Sequence, residues 1–309
     1  MAKKLPLIRD INSYIRQFDV SMSDVLQSIP KKYTLSEKKH ILHNIIHTYK
    51  PNSLEIGSII SPRLVPQMNH SYELYNYAND FYNPIKKSDR THIISDNDTI
   101  KNNQCKFYLS VPPTKQYLNS AKTLNIKNIS LMTSISDVYQ QNYFKQSIQK
   151  TKEIIKDTLK TSNTFDNVKL YVSCITNCPI KGKQDNEHII NELYDYLHID
   201  GITEVCLTDN CSNINYSDFK HIIDYLGIEM NYKLDKLSLH LHCNNEKYYT
   251  TDKIIEYAIH NKIYKFDVSS FEYMKFNNGI INIDAKSFNN NLTYDRLYEG
   301  IYNLSYNYL

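Results

Sequence analysis

The 309-residue chain has no tryptophan and only six glycines, and it lacks the run of ~18 apolar residues that a membrane-spanning helix needs. No G-x-G-x-x-G motif follows its first apolar run, which argues against a dinucleotide-binding open sheet. The formal net charge is only +3, from 36 basic and 33 acidic residues. A balance this close to neutral does not favour nucleic acid or an anionic membrane as a partner. We therefore expect neither a membrane protein nor a nucleic-acid-binding protein.

Cysteine is also sparse, with six residues and no secretory signal ahead of them. This pattern predicts free thiols rather than a disulfide framework, and a cytoplasmic location. The N-terminal segment is basic and weakly amphipathic, so a transit peptide is the alternative, but it lacks Ser and Arg enrichment and contains Asp10. The 27 tyrosines and the many Asn, Lys and Ile residues follow AT-rich coding and need not be functional.

Short apolar, β-branched runs recur along the chain, and most are followed by a longer helical pattern. Eight such pairs predict a single-domain (β/α)8 TIM barrel over residues 18–309, with residues 1–17 as an N-terminal extension or capping helix. A doubly wound open sheet is the alternative fold. A spare run at Thr91–Ser95 indicates an inserted hairpin. The eight predicted strands are Phe18–Met22, Ser53–Ile60, Cys105–Val111, Asn128–Thr133, Val168–Cys174, Thr203–Asp209, Lys236–His242 and Ile263–Ser270.

Polar residues gather where these runs end, and a barrel places its chemistry at the carboxyl ends of its strands. They are Ser23, Asp24, Gln27, Glu55, Ser173, Cys174, Asp209, Asn210, His240, His242, Asp267, Ser269 and Ser270.

The seventh run, "KLSLHLHCNN", sets His240 and His242 one residue apart. Residues i and i+2 of a strand point to the same side, and two adjacent imidazoles suit a metal ion. Two solvated histidines at a strand end would give the same pattern, so this motif alone leaves both interpretations open.

Six blocks of sequence, taken in order and at their spacing, resemble the hydroxymethylglutaryl-CoA lyase family from about residue 18 to the end. Among them, the "SPRLVPQM" part of the second block and the "YVSC" with "CP" of the third are the most specific. The blocks are "SDVLQ" from Ser23, "SLEIGSIISPRLVPQM" from Ser53, "LYVSCITNCPIKGK" from Leu170, "VCLTDN" from Val205, "LSLHLHCNN" from Leu237 and "NLTYDRLYEGI" from Asn291.

The resemblance implies a TIM barrel that holds Mg²⁺ or Mn²⁺ through Asp24, His240, His242 and Asn291. A carboxylate, two imidazoles and an amide oxygen suit a divalent ion that keeps open positions for water or substrate. The implied reaction is carbon–carbon bond cleavage in a hydroxyacyl-CoA or a hydroxy acid, by a chain that can form a homodimer.

The resemblance also implies catalytic positions. Asp209 and Glu55 match two acidic positions of the family site, where a carboxylate acts as a general base or orients a ligand. For Glu55, a role as a buried brace is the equal alternative. Gln27 either contacts substrate or packs.

Two departures from the family pattern bear on activity. Ser23 replaces the Arg that precedes the metal-binding Asp in the family. That Arg is a fixed donor to the developing enolate oxygen, and such a donor is commonly worth ~10²–10³ in rate. The family has a glycine-rich loop after strand eight, and the Cys of that loop is a general acid. Here the loop is replaced by residues 269–291, which contain one glycine and no cysteine. Cys211 and Cys243 are possible substitutes, although small residues without a role are the simpler interpretation. Three hypotheses follow: a lyase with an altered substrate, a degenerate metal-binding barrel, or another metal-dependent activity on a non-CoA substrate.

Overall fold

A closed barrel of eight parallel strands forms the centre of the molecule, in the order β1-β8-β7-β6-β5-β4-β3-β2. It is seen in a computed structural model that describes residues 8–84, 105–161, 164–229, 234–243, 248–270 and 290–306. The predicted (β/α)8 barrel, a single domain, is confirmed. The strands are β1 Arg16–Asp19, β2 Ser53–Ser58, β3 Lys106–Ser110, β4 Asn128–Ser134, β5 Asn167–Ser173, β6 Glu204–Thr208, β7 Leu237–His240 and β8 Lys265–Val268.

Helices alternate with the strands and surround the barrel, and several begin at a capping side chain that accepts a backbone N–H. Thr34 and Glu37 form a reciprocal capping box ahead of the second helix. Within the described ranges, no helix is long and apolar enough to cross a membrane. The helices are α1 Ile8–Tyr14, α2 Leu35–Thr48, α3 Ser71–Tyr82, α4 Lys115–Thr123, α5 Asp137–Phe144, α6 Ile148–Lys160, α7 Asn186–Leu197, α8 Tyr216–Asp224, α9 Tyr248–His260 and α10 Tyr294–Tyr306.

Among the strand ends that differ from the predictions, two affect the position of site residues. Strand β1 ends at Asp19, and the predicted continuation to Met22 is instead the start of a wide π-helical turn over Ser21–Val25. Strand β7 ends at His240, so His242 lies beyond it, in an isolated bridge to Asn291. Apolar periodicity cannot separate a strand from the first turn that follows it. The hairpin expected at 91–95 lies outside the described residues, and the division at residue 17 stays a prediction.

Alternation along the strands builds two separate interiors, as strand β5 illustrates. Its residues Val168, Leu170 and Val172 are buried in the main hydrophobic core, between the barrel and the helices. Tyr171, between them, points into the barrel, where its ring meets that of His240 at 5.9 Å. The apolar layer between the barrel and the helices stabilises the fold, and the inside of the barrel can therefore contain polar groups.

The inner space of the barrel contains a fully buried lysine. The ammonium of Lys169 forms ion pairs with Asp267 and, at 3.0 Å, with Glu204, and it lies 3.7 Å from the centre of the Phe18 ring. Burial alone would lower the pKa of Lys169, but the two carboxylates outweigh burial and raise it. This lysine therefore stays charged, and each of its partners is held in place by it.

A bulge in strand β2 sets the direction of Glu55. The register of β2 against β3 shifts between Glu55 and Gly57. Gly57 has a φ of +152°, and a Cβ there would meet the Ser71 hydroxyl at 2.3 Å. One of the few glycines of the chain is thus required here, because only glycine lets the backbone approach Ser71 so closely.

Candidate metal and substrate site

The first acidic group of the site comes from the turn after strand β1. Asp24 lies in the π-helical turn Ser21–Val25, a kind of turn that is frequent at functional sites. Its Oδ2 accepts a hydrogen bond of 2.6 Å from the side-chain amide of Asn291, which lies just ahead of α10. The two ends of the barrel sequence therefore meet at this carboxylate.

The two histidines face each other with the same ring nitrogen. The Nε2 atoms of His240 and His242 are 3.4 Å apart. The Nδ1 of His240 contacts a carboxylate oxygen of Asp267 at 3.1 Å, and the Nδ1 of His242 contacts the main-chain carbonyl of Asp209. Both acceptors favour a proton on Nδ1, which leaves both Nε2 lone pairs directed at one point.

Two nitrogens at this distance are compatible when a proton or a metal ion lies between them. Burial would lower the pKa of His240, but Asp267 outweighs it and raises that pKa, whereas burial and His240 lower the pKa of His242. One ligand atom from each of Asp24, His240 and His242 lies within 4.8 Å of the other two. This cluster could hold a divalent ion.

Asn291 completes the set of donors that was predicted. Its amide nitrogen points at Asp24, and a flip of the amide would present its oxygen at the same position. A carboxylate, two imidazoles and an amide fit Mn²⁺ or Mg²⁺, which accept mixed oxygen and nitrogen ligands. The structure thus brings all four predicted residues together, and their role as ligands stays a prediction.

Glu55 lies inside the cavity next to this cluster and is buried. Its carboxylate accepts a 2.6 Å hydrogen bond from Ser130 Oγ, and the nearby Ser23 hydroxyl, which donates to the carbonyl of Val20, also lowers the pKa of Glu55. Burial raises the pKa of Glu55 to about 7, and the two hydroxyls only partly oppose this shift. A carboxyl group with this pKa can either give or take a proton near neutrality.

The other two predicted catalytic residues have different surroundings. The carboxylate of Asp209 is buried and accepts backbone N–H groups of Cys211, Asn213 and Ile214, so it braces the loop after β6. The described residues that line the cavity do not include Asp209, although they include Gln27. This geometry favours Asp209 as a positioning group, through its carbonyl on His242, and leaves both catalytic assignments as predictions.

Sequence reasoning gave no role to Asp267 and did not single out Lys169. Asp267 joins His240 to Lys169, and it is almost completely buried. The available signal was the charged residues inside two strand runs, Lys169 in "VKLYVSC" and Asp267, with Lys265, in "IYKFDVSS". Charged residues are almost never fully buried unless they are paired, so these two positions could have been matched to each other.

The thiols do not replace the family's missing cysteine in any evident way. All six cysteines are free. Burial raises the pKa of Cys243 to about 12, and Cys211 Sγ donates to the carbonyl of Asn177. Neither belongs to the described lining of the cavity, and a thiol with a raised pKa is a poor nucleophile and metal ligand.

A (β/α)8 barrel with an Asp, His, His cluster at the carboxyl ends of its strands defines the class of protein. No model of a protein family matches the chain. Over 169 residues, which are 54% of this chain and 48% of the relative, it is 22% identical to a hydroxymethylglutaryl-CoA lyase of Pseudomonas mevalonii. The chain thus spans about half the length of the curated relatives it matches.

Solved structures agree over a longer stretch. A hydroxymethylglutaryl-CoA lyase of Pseudomonas aeruginosa matches with a TM-score of 0.69 and 18% identity, over 94% of this chain and 86% of that one. A hydroxymethylglutaryl-CoA lyase of Acinetobacter baumannii, in complex with coenzyme A and 3-methylmalate, matches with a TM-score of 0.68 and 17% identity, over 94% and 88%. The chain is thus similar to hydroxymethylglutaryl-CoA lyases in sequence over about half of its length and in fold over nearly all of it, which confirms the predicted resemblance.

Proposed function

We propose that this chain is a divalent-metal-dependent lyase that cleaves a carbon–carbon bond in a hydroxyacyl substrate, either a CoA thioester or a free hydroxy acid. The observation that carries the proposal is the pair of Nε2 atoms of His240 and His242, 3.4 Å apart and joined by Asp24 in one cluster. Asp24, His240, His242 and Asn291 would hold Mg²⁺ or Mn²⁺. Such an ion, when bound, supplies Lewis-acid polarisation and orients the substrate oxygens.

The side chains around the cluster divide the remaining work. Cleavage next to a hydroxyl needs a group that takes the hydroxyl proton and a group that protonates the departing carbon. Glu55 lines the cavity with a pKa of about 7, so it is suited to hold a proton at its carboxyl oxygen and to exchange it with substrate. Asp267 and the carbonyl of Asp209 orient the two imidazoles, and Gln27 reaches the same cavity.

Metal binding tests this proposal directly. We expect metal-stripped protein to bind one equivalent of Mn²⁺ in calorimetry, and the double variant His240→Ala/His242→Ala to lose this binding. The matched control is His40→Ala/His47→Ala, which removes two exposed histidines from helix α2. Equal Mn²⁺ binding by both double variants would contradict the proposal. The loaded protein is then assayed against hydroxyacyl-CoA thioesters and hydroxy acids.

A second candidate function is a metal-binding barrel that has lost lyase turnover. The observation in its favour is Ser23, which is buried beside Asp24 where the family has an arginine, and which offers Glu55 only a neutral hydroxyl. Substitution of Ser23→Arg places a guanidinium against Glu55. If the rest of the site is competent, we expect lyase turnover to rise by up to ~10²-fold, with Ser23→Lys as the control for charge alone. No gain, with Mn²⁺ binding intact, would support the degenerate barrel.

Homodimer formation and a cytoplasmic location stay predictions. Gel filtration of the purified chain at two concentrations checks the first of them.

A further inference from the structure

A single cavity of about 560 Å³ connects the metal cluster to a region that the predicted chemistry does not use. One end contains Asp24, Glu55, His240 and His242. From there the lining continues over the ends of strands β2, β3 and β4 and reaches helix α5. This volume lies within the range of pockets that enclose a drug-sized molecule, so it exceeds what a small hydroxy acid would fill.

None of the described residues that line the cavity is Lys or Arg, and the acidic ones are Asp24 and Glu55. Lys169, the lysine buried inside the barrel, is already paired with Asp267 and Glu204. A second carboxylate or a phosphate on the substrate would therefore find no partner charge among these described residues.

Apolar and aromatic side chains make up the far wall instead. Met132 lines the cavity beside Tyr171, and Tyr139 stacks on Tyr143 with ring centres 4.2 Å apart. Two lining residues stand at the mouth with large exposed surfaces, Tyr143 at 62% and Leu64 at 70%. Exposed apolar side chains at the rim of a cavity mark a surface that a ligand covers.

We propose that the substrate of this site carries an uncharged apolar chain or aryl group, which lies along Met132, Tyr139 and Tyr143 while its hydroxyacyl end lies at the metal cluster. This inference rests on the proposed function, since it concerns the same site. It assigns a specificity for the tail of the substrate: an alkyl or aryl end rather than a short end with a second carboxylate.

Chain length provides the test. Mn²⁺-loaded protein is titrated by calorimetry with 3-hydroxybutanoate, 3-hydroxyhexanoate, 3-hydroxyoctanoate and 3-hydroxydecanoate, and with 3-hydroxy-3-methylglutarate as the dicarboxylate. Burial of one methylene is worth up to about fourfold in affinity, so we expect 3-hydroxyoctanoate to bind at least ~10-fold more tightly than 3-hydroxybutanoate. The dicarboxylate should bind no more tightly than 3-hydroxybutanoate.

A charge placed at the mouth should reverse this preference. Tyr143 is a surface residue of helix α5, so Tyr143→Arg leaves the core intact. We expect it to weaken 3-hydroxydecanoate binding and strengthen 3-hydroxy-3-methylglutarate binding, each by at least ~3-fold, as a guanidinium pairs with a carboxylate. Tyr302→Arg, at a tyrosine of similar exposure on helix α10, is the matched control and should change neither affinity.

The two proposals fail in different ways. Loss of one-site Mn²⁺ binding in the wild-type chain would overturn the proposed function. A flat chain-length series with intact Mn²⁺ binding, or tighter binding of the dicarboxylate than of 3-hydroxydecanoate, would overturn the apolar-tail inference alone. Equal responses of Tyr143→Arg and Tyr302→Arg would also overturn it.

Discussion

The cavity has two walls of opposite character. The metal wall, formed by Asp24, His240, His242 and Asp267, is built of polar groups that contact one another or the backbone. The tail wall, over strands β2–β4 and helix α5, is apolar, partly exposed and without a cation among its described residues. The first wall is fixed by hydrogen bonds of charged and imidazole groups, and the second presents mainly apolar and aromatic surface to the cavity.

This difference indicates which part of such a site can change freely. A metal cluster works only when its ligands are oriented by further hydrogen bonds, so a single loss is felt throughout it. An apolar wall tolerates substitution of similar volume with little loss of stability. Ser23 lies at the boundary, next to Asp24 and close to Glu55, and it is there that the chain departs from the predicted family pattern. The four predicted metal ligands lie where the geometry is strict.

The largest effect should follow from removing the charge beneath the metal wall. Lys169→Met leaves the buried Asp267 without its lysine and removes the nearer of the two lysine partners of Glu204, and a broken buried ion pair costs ~3–5 kcal/mol. We expect urea unfolding to report a loss of this size. Lys150→Met is the matched control, because the Lys150–Glu153 pair is half exposed and should contribute less than ~1 kcal/mol. Similar losses in the free energy of unfolding of both variants would mean that the ion pairs beneath the metal wall stabilise the fold no more than a surface pair does.

A second effect, on metal affinity, is expected from Asp267→Asn. The neutral amide can still accept from His240 Nδ1 but no longer strengthens its basicity or pairs with Lys169. Loss of such an orienting carboxylate lowers metal affinity by ~10–100-fold. Calorimetry with Mn²⁺ measures this, with Asp218→Asn as the control, since Asp218 is also largely buried and paired to a lysine, Lys183, outside the site. Unchanged Mn²⁺ affinity in Asp267→Asn would mean that Asp267 does not orient His240 for metal binding.

Much of the fold and of the metal cluster could be predicted from the sequence because both are recorded in local patterns. Each strand is a short β-branched run, and the four metal donors occur within blocks whose order is itself informative. Where two states share one pattern, as with the strand and the turn that meet at Asp19 and Ser21, the boundary could not be found.

Contacts that depend on closure of the barrel could not be predicted in this way. Lys169 and Asp267 are 98 residues apart and become neighbours only because strands β5 and β8 line the same interior. The carboxylate of Asp209 turns to its own loop, which no residue spacing reveals. The apolar tail wall draws on strand ends and a helix that are individually unremarkable, so its character appears only when they are assembled.

The smallest effect concerns Glu55, which stands between the two walls, and it depends on pH. The folded-state pKa of about 7 is above the usual value of 4.5, so between these values the folded chain binds more protons than the unfolded chain. Stability contributed by the protonated carboxyl is therefore lost as pH rises from about 4.5 to about 7, by ~1–3 kcal/mol. The amide side chain introduced by Glu55→Gln cannot lose a proton. The difference in the free energy of unfolding between the metal-stripped variant and metal-stripped wild type should therefore be larger at pH 8 than at pH 5 by this amount, as measured by urea unfolding. Glu153→Gln, at an exposed residue, should show no such difference. A pH-independent difference for Glu55→Gln would mean that Glu55 is ionised throughout, and that it belongs electrostatically to the metal wall.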